Sequence, residues 1–337
     1  MQNRIFYLDK LRVLAIFSVI VIHVSATMWY STPVKSFDWQ MMNIYDSLVR
    51  FCVPLFIMIS GAMLLDPKKD YSLKKLSSKI LRIITAFAVW SALYATYHYF
   101  YDNASLKTSI KSFIEGEYHM WFVFMIIGLY IATPIIRLIA KDKKTTQYFI
   151  VLGLVINTLA AVLPEIPYGG TIFSNILADA RLNLFMSYSH YYLLGYYLKN
   201  ENFSKKTQKL IYFIAVLSIL GTILLTSYIS ITMNNQIAFF YGYLLPNTAI
   251  VAIAIFIYAK QNWNKNINPI INKLSTISFG IYLVHALVLF VFNNLGFTST
   301  LFNPLISIPL ISLLCFIISA TVILLIRGFG KYAKYIT

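Results

Sequence analysis

The chain has 337 residues, of which 59% are hydrophobic and only 12% are charged, and its formal net charge is +16. This composition is typical of an integral membrane protein and excludes a soluble globular core. The excess of positive charge would suggest nucleic-acid binding in a soluble protein, but here its distribution between hydrophobic segments points to membrane topology. We therefore expect no nucleic-acid partner.

Ten hydrophobic segments have about the length that crosses a bilayer, roughly 17–25 residues. They are residues 11–29, 44–65, 83–101, 120–139, 148–164, 183–198, 210–230, 239–259, 274–293 and 304–326. The longest loops between them, 102–119 and 165–182, are too short for a separate domain. The sequence predicts an all-α integral membrane protein with about ten transmembrane helices, forming a single domain over residues 1–337.

The basic residues alternate between the two sides of this array. If the N-terminus is cytoplasmic, 23 of the 28 Lys and Arg residues fall in cytoplasmic segments. The other five are Lys35, Arg50, Lys107, Lys111 and Arg181. This asymmetry follows the positive-inside rule and predicts that both termini are cytoplasmic.

The N-terminus also resembles a signal peptide, since Val24-Ser25-Ala26 looks cleavable after an apolar run. Cleavage there would leave an odd number of spans and spoil the charge alternation. We therefore favour retention of this segment as the first span.

The first span carries three ionisable residues, Asp9, Arg12 and His23. Eleven residues separate Arg12 from His23, close to three helical turns, so both lie on one helix face about 16 Å apart along the axis. Ionisable groups at such depth usually face the protein interior or a substrate. His23 is the best candidate for a general base, and a helix–helix hydrogen bond is the alternative role.

The second span contains residues 50–61, Arg50-Phe-Cys-Val-Pro-Leu-Phe-Ile-Met-Ile-Ser-Gly. Pro54 removes one backbone hydrogen bond, and Ser60 and Gly61 permit close helix contact. The segment could serve a ligand, or it could be a kinked packing helix with Arg50 extending outward.

Two basic residues, Lys79 and Arg82, begin the third span on the cytoplasmic side. They could hold the phosphates of a donor, or simply anchor the helix in the positive-inside pattern. His98 near the other end has no such context and is expected to be an ordinary interfacial residue, as is His190.

The fourth span opens with His119-Met-Trp121-Phe, followed by Tyr130 and Pro134. His119 could belong to a site at the outer surface or be an exposed interfacial residue. In the ninth span, Tyr282 and His285 are neighbours on one helix face near the middle of the membrane. A second intramembrane histidine favours a polar cavity shared with His23.

The two cysteines, Cys52 and Cys315, both lie inside spans and form neither a disulfide framework nor a zinc pattern. We expect no metal cofactor.

Taken together, the four motif segments resemble the acyltransferase-3 family of membrane O-acyltransferases. The matching motifs are Arg12 with His23 after ten intervening residues, residues 50–61, His119-Met-Trp-Phe with Tyr130 and Pro134, and Ser278-Phe-Gly-Ile-Tyr-Leu-Val-His285. Ile57, Ala62 and Met120 depart from the usual residues at apolar or packing positions. The set extends over almost the whole chain.

The resemblance implies a donor such as acetyl-coenzyme A, or another short acyl-coenzyme A, on the cytoplasmic side. It implies an acceptor hydroxyl on a cell-surface polysaccharide or its lipid-linked precursor on the outer side of the bacterial cytoplasmic membrane. The residues assigned to catalysis are His23, Arg12 and Asp9. Those assigned to the donor are Arg12, Lys79 and Arg82. Those assigned to the acceptor are Arg50, His119, Trp121, Tyr282 and His285.

Two other functions are compatible with intramembrane polar residues. A transporter or flippase of glycan precursors would also carry them, although the sequence shows no internal repeat with matching broken helices. A structural partner in a glycan assembly complex would not require the polar stripe of the first span.

Overall fold

A computed structural model describes residues 5–68, 72–180, 187–265, 268–330 and 332–337. Regular structure within these ranges is entirely helical, as predicted. The α-helices in this part of the chain are α1 (Phe6–Ala26), α2 (Phe37–Val49), α3 (Cys52–Leu64), α4 (Leu73–Tyr101), α5 (Leu106–Glu115), α6 (Trp121–Ile139), α7 (Lys143–Val162), α8 (Gly170–Asp179), α9 (Ser189–Asn200), α10 (Lys205–Met233), α11 (Pro246–Asn262), α12 (Pro269–Asn294) and α13 (Pro304–Gly328).

Local capping sequences determine where the helices begin. The Asp142 carboxylate accepts a hydrogen bond of 2.7 Å from the Thr145 N–H and starts α7. At α13, the Asn303 side chain accepts from the Leu305 N–H at 3.0 Å, and Pro304 occupies the first helical position. Polar residues between apolar runs therefore define the ends of these helices.

Helix α1 lies at the centre of the bundle. Thirteen of its 21 residues are buried, and it packs against α2, α3, α12 and α13. The first predicted span is therefore enclosed by other helices of the bundle.

Eight helical segments in the described ranges are long and apolar enough to cross a membrane. Two of the ten predicted spans are not among them. The span at 11–29 corresponds to α1, whose first half carries Asp9, Lys10 and Arg12. The span at 183–198 begins within 181–186, outside the described residues, and α9 itself has only twelve residues. Arg4, Lys69, Arg181 and Lys331, which enter the charge count, also lie outside them.

Helix α10 shows how the bundle meets lipid. Only four of its 29 residues are buried, and these are the small or hydroxyl residues Ala215, Thr222, Thr226 and Ser230. Its five leucines are all exposed, among them Leu224 at 65%. Such a distribution is expected where small residues mediate helix contacts and apolar side chains contact hydrocarbon. The protein is therefore a multi-pass membrane protein.

Several predicted boundaries were wrong. The two longest predicted loops contain the short helices α5 and α8. Helix α4 begins at Leu73 rather than near residue 83, because the Ser72 hydroxyl accepts from the Lys75 N–H and caps the helix early. Lys79 and Arg82 consequently lie inside α4 rather than at its start.

Helices α3 and α9 approach each other at two glycines, as predicted for Gly61. A Cβ atom on Gly61 would lie 1.7 Å from the Tyr192 carbonyl oxygen, and one on Gly195 would lie 1.9 Å from the Met58 carbonyl oxygen. Only glycine allows backbones to approach this closely. The contact fixes the position of α3, which contributes to the site described below.

Basic side chains bind free carbonyl groups at helix C-termini. At the end of α3, Lys199 donates to the Ala62 carbonyl and Arg137 to the Leu64 carbonyl, each at 2.9 Å. Lys260 donates to carbonyl groups at the end of α9. These bonds satisfy acceptors that a helix leaves unpaired and place cations at the negative ends of helix dipoles.

Candidate active site

A cavity of about 340 Å³ lies between α1, α3, α4, α6 and α12. Its polar and aromatic lining includes Arg12, His23, Ser60, Lys79, Arg82, His119, Trp121, Tyr130, Tyr243, Ser275, Thr276, Ser278 and Tyr282. Seven of the ten predicted site residues are in this lining. The other three, Asp9, Arg50 and His285, do not line the cavity, but each contacts a residue that does.

At one end of the cavity Arg12 is held by polar side chains. Its guanidinium lies 3.4 Å from the Asp9 carboxylate and donates to the Ser275 hydroxyl at 3.2 Å. The Ser275 hydroxyl in turn donates to Asp9 at 2.6 Å. Asp9 is buried, so its contact with Arg12 pairs a charge that would otherwise be costly. Asp9 and Ser275 thereby orient Arg12 in the cavity wall.

The two predicted donor residues on α4 differ in their partners. Arg82 donates to the Thr337 carbonyl oxygen at 2.6 Å. Lys79 makes no hydrogen bond to a described residue, although it lines the same cavity. Lys79 is therefore the α4 cation with the most capacity to bind an anionic ligand.

Three histidines from different helices meet near the other end of the cavity. The ring centroids are 5.2 Å apart for His23 and His285, 4.9 Å for His119 and His285, and 6.4 Å for His23 and His119. Nδ1 of His285 lies 2.6 Å from the Tyr282 carbonyl oxygen, so Nδ1 carries the proton and Nε2 is left as the acceptor in the neutral ring. His23 and His285 are thus in ring contact, but only His23 lines the cavity that the sequence predicted them to share.

His119 is buried, at 3% exposure, so the alternative of an exposed interfacial residue was wrong. The Tyr282 hydroxyl donates to the His119 carbonyl oxygen. The His119 ring packs edge-on against Tyr94 and Tyr282. Among the described residues, neither ring nitrogen has a partner at full hydrogen-bond geometry, although the Leu283 backbone interacts with the ring. Buried polar atoms are nearly always bonded, which favours a role towards a ligand.

Arg50 points into the protein and does not extend outward. Its guanidinium lies 2.5 Å from the Asp46 carboxylate and stacks 4.3 Å from the centroid of the Tyr241 ring. It also donates to the hydroxyl of Tyr243, a cavity residue, at 3.4 Å. Arg50 therefore supports the cavity wall through Tyr243.

The helical hydrogen-bond pattern is interrupted at Arg50. Pro54 has no N–H to bond the Arg50 carbonyl, so α2 ends at Val49 and α3 begins at Cys52. The Leu55 N–H bonds the Phe51 carbonyl at 3.0 Å and starts the next helix. The predicted span 44–65 therefore consists of two helices joined at Arg50 and Phe51, which together form one segment long and apolar enough to cross a membrane.

An aromatic surface borders the histidines. Trp121 stacks on Tyr243, with centroids 6.0 Å apart and planes at 26°, and Tyr188 lies 5.7 Å from the Trp121 ring. The sequence reasoning missed Tyr243, which follows α10 in an irregular segment, and Ser275. Ser275 could have been found, because it lies one helical turn before Ser278 in the fourth motif.

The remaining histidines are not ordinary interfacial residues. His190 is fully buried, with Nδ1 2.8 Å from the Ser187 carbonyl oxygen. His98 contacts two carboxylates, Asp102 and Glu117. Within the described ranges, no group of three His, Cys, Asp or Glu side chains is arranged to hold a metal ion.

Comparison with known proteins identifies the family. The acyltransferase domain family matches residues 5–326, nearly the whole chain. No curated protein and no solved structure matches the chain. The family match covers the cavity and all four motif segments, and the chain therefore belongs to this acyltransferase family and is an acyltransferase.

Proposed function

We propose that the protein is a membrane O-acyltransferase that moves an acetyl or other short acyl group from cytoplasmic acyl-coenzyme A to a glycan hydroxyl on the outer side. The acceptor is a cell-surface polysaccharide or its lipid-linked precursor. Among family members, the start of the chain, Phe6-Tyr-Leu-Asp9 with His23 and Trp29-Tyr30, resembles the O-acetyltransferase of enterobacterial common antigen. This resemblance favours an acetyl donor and the bacterial cytoplasmic membrane.

The observation that carries the proposal is that one cavity contains both a cationic end and a histidine end. Arg12 and His23 lie on the same helix and line the same cavity. Their separation along the axis, about 16 Å, is about half of the hydrocarbon thickness. A thin acyl-pantetheine arm can extend over this distance while its nucleotide stays at the membrane surface.

In the proposed reaction, His23 accepts the proton of the acceptor hydroxyl as the oxygen attacks the thioester carbonyl. The new C–O bond forms, the C–S bond breaks, and the proton is passed to the departing coenzyme A thiolate. His285 supports this role because its ring packs directly against His23. An acyl-His23 intermediate would be a two-step form of the same transfer.

The donor phosphates would be bound at the cationic end. Lys79 contributes a charge that no hydrogen bond to a described residue occupies, and Arg12 a guanidinium held in place by Asp9. Arg82 would join them if a ligand replaced its bond to Thr337. Charge-assisted hydrogen bonds from such groups suit phosphate.

The acceptor would bind beside the histidines, where Trp121 and Tyr243 provide an aromatic surface. The C–H faces of sugar rings are apolar and pack well against aromatic rings. Arg50 contributes by holding Tyr243, so its proposed effect on the acceptor is indirect.

The proposed topology has ten crossings, including α1 and α9, with both termini cytoplasmic. The 23-to-5 distribution of Lys and Arg supports it. A reporter protein that is active only in the cytoplasm should be active when it is fused at Thr337. Activity of a reporter that works only outside the cytoplasm would reject this orientation.

The test uses proteoliposomes with the protein in one orientation and acetyl-coenzyme A supplied on one side only. A glycolipid extract from bacterial membranes is supplied on the opposite side. We expect release of coenzyme A thiol and acetylated glycan, detected by mass spectrometry, only when acetyl-coenzyme A is on the cytoplasmic side. Transfer only when both substrates share a side would reject transfer through the membrane. Glycan movement without thiol release would indicate a flippase instead.

A further inference from the structure

His98 lies near the end of α4, with a carboxylate at each ring nitrogen. Nδ1 is 2.5 Å from the Asp102 carboxylate and Nε2 is 2.7 Å from the Glu117 carboxylate. Ionised carboxylates only accept hydrogen bonds, whereas a neutral imidazole carries a single N–H. Both bonds therefore exist together with two ionised carboxylates only when the ring is an imidazolium.

Glu117 connects this cluster to the cavity. Its second carboxylate oxygen accepts from the following backbone N–H at 3.1 Å and caps the short helical turn Tyr118–Met120, which carries His119. Gly116 precedes it with φ of +76°, a conformation that favours glycine. The turn is thus bound to α4 through His98 and to α12 through Tyr282.

Among the described residues, His98 has no charged partner besides these two carboxylates. Its electrostatic partners within the described residues are Asp102, on the same side of α4, and Glu117, before the turn. Phe290 of α12 packs against the His98 ring with the ring centroids 5.5 Å apart. The ring of Tyr97, the preceding residue on α4, lies 5.7 Å away. No described cation competes for the two carboxylates, so the charge of His98 alone joins them.

We propose that His98 is a positioning residue that, as an imidazolium, clamps Glu117 and thereby holds His119 at the cavity. The inference rests on the proposed acyl transfer for its consequence in catalysis, but the clamp itself is a structural property. Loss of one proton from His98 leaves a single N–H for two carboxylates, so the bond to Glu117 is then made in only part of the molecules and the turn that carries His119 loosens.

The protonation state is measured directly by NMR of the purified protein labelled with ¹⁵N-histidine. The His98 signals are those lost in His98→Gln. We expect a doubly protonated ring at pH 7 and loss of one proton on the alkaline side, with His119 signals changing over the same range. A neutral His98 at pH 7, or His119 signals unaffected by His98→Gln, would overturn the proposal whether or not the protein transfers acyl groups.

Kinetics provide the second measurement, with Asp102→Asn as the informative variant. The amide of the introduced asparagine can donate to Nδ1, so a neutral His98 can still donate from Nε2 to Glu117 and keep both bonds. The Asp102 side chain is about half exposed, so the change disturbs little packing. We expect wild-type kcat to fall about 10- to 100-fold as His98 loses its proton, as for misplacement of a substrate-positioning group by about 1 Å, and Asp102→Asn to resist this fall.

His98→Gln should lower kcat throughout the pH range while changing KM for acetyl-coenzyme A little, because the donor binds at the other end of the cavity. Thr96→Ala, on the exposed side of the same helix, is the matched control and should behave as wild type in both measurements. An identical alkaline fall in Asp102→Asn and wild type would overturn the clamp. Absence of acyl transfer in every variant would reject the proposed function, and the NMR result would still decide the clamp.

Discussion

Substitution of Gly61 by alanine tests the packing on which the cavity depends. The new Cβ would lie 1.7 Å from the Tyr192 carbonyl oxygen, whereas real contacts of this kind are almost never below 3.0 Å. The obstructing atom belongs to backbone, so no side chain can rotate away. Helices α3 and α9 must therefore separate by at least about 1.3 Å, the difference between these two distances.

The expected magnitude follows from this displacement. Overpacking of a well-packed contact costs about 1–3 kcal/mol, and a clash with backbone belongs at the upper end of that range. Helix α3 also contributes Val53, Phe56 and Ser60 to the cavity wall. Misplacement of a site by about 1 Å can reduce a rate about 100-fold. We expect Gly61→Ala to lose about 3 kcal/mol of stability and most of its kcat.

The measurement compares unfolding in detergent and coenzyme A release for Gly61→Ala and Gly128→Ala. Gly128 lies on α6, with no neighbouring atom within 4 Å of the position that a Cβ would take. Alanine there should leave activity unchanged and favour the helix by up to about 1 kcal/mol. If Gly61→Ala unfolds and reacts like Gly128→Ala, the close approach of α3 and α9 is incorrect.

Substitutions at three further residues test the site. His23→Ala should reduce acyl transfer about 10²- to 10⁴-fold without loss of membrane insertion, since it removes the proposed general base; a fully active, well-expressed variant would reject that role. Arg12→Ala should impair the enzyme, and Arg12→Lys should restore it only in part because lysine lacks the planar guanidinium; wild-type kinetics for Arg12→Ala would reduce Arg12 to a topological anchor. Lys79→Gln should raise KM for acetyl-coenzyme A about tenfold, as for loss of one charge-assisted hydrogen bond of about 1.5 kcal/mol, whereas Lys75→Gln, one turn earlier on α4 and outside the cavity lining, should not.

Helical periodicity accounts for the part of the site that the sequence predicted. Arg12 and His23 share a face because their spacing is close to three turns, and both line the cavity. The proximity of His23 and His285 was suggested by their depth, since polar groups in hydrocarbon tend to face the protein interior, whereas the approach of His119 to His285 was not predicted.

Contacts between distant segments could not be read from the sequence. The inward orientation of Arg50 depends on Tyr241 and Tyr243, almost 200 positions away. Its local partner Asp46, four residues earlier on a helix, was the available signal. Because the first half of α1 carries Asp9, Lys10 and Arg12, a definition of membrane spans based on length and composition does not include this helix.

The basic residues that close the ends of α3 and α9 have a consequence for synthesis on the ribosome. Arg137 and Lys199 follow the α3 carbonyl groups they bind by 73 and 137 residues, and Lys260 follows its α9 partner Leu198 by 62 residues. At a synthesis rate of about 5–20 residues per second, roughly 7–27 s pass between synthesis of the end of α3 and synthesis of Lys199, its last partner. During that interval interfacial water must satisfy those carbonyl groups. The carbonyl groups at the end of α3 thus gain their basic partners before those at the end of α9. A nascent chain that ends before Lys260 still lacks the basic partner of the α9 carbonyl groups.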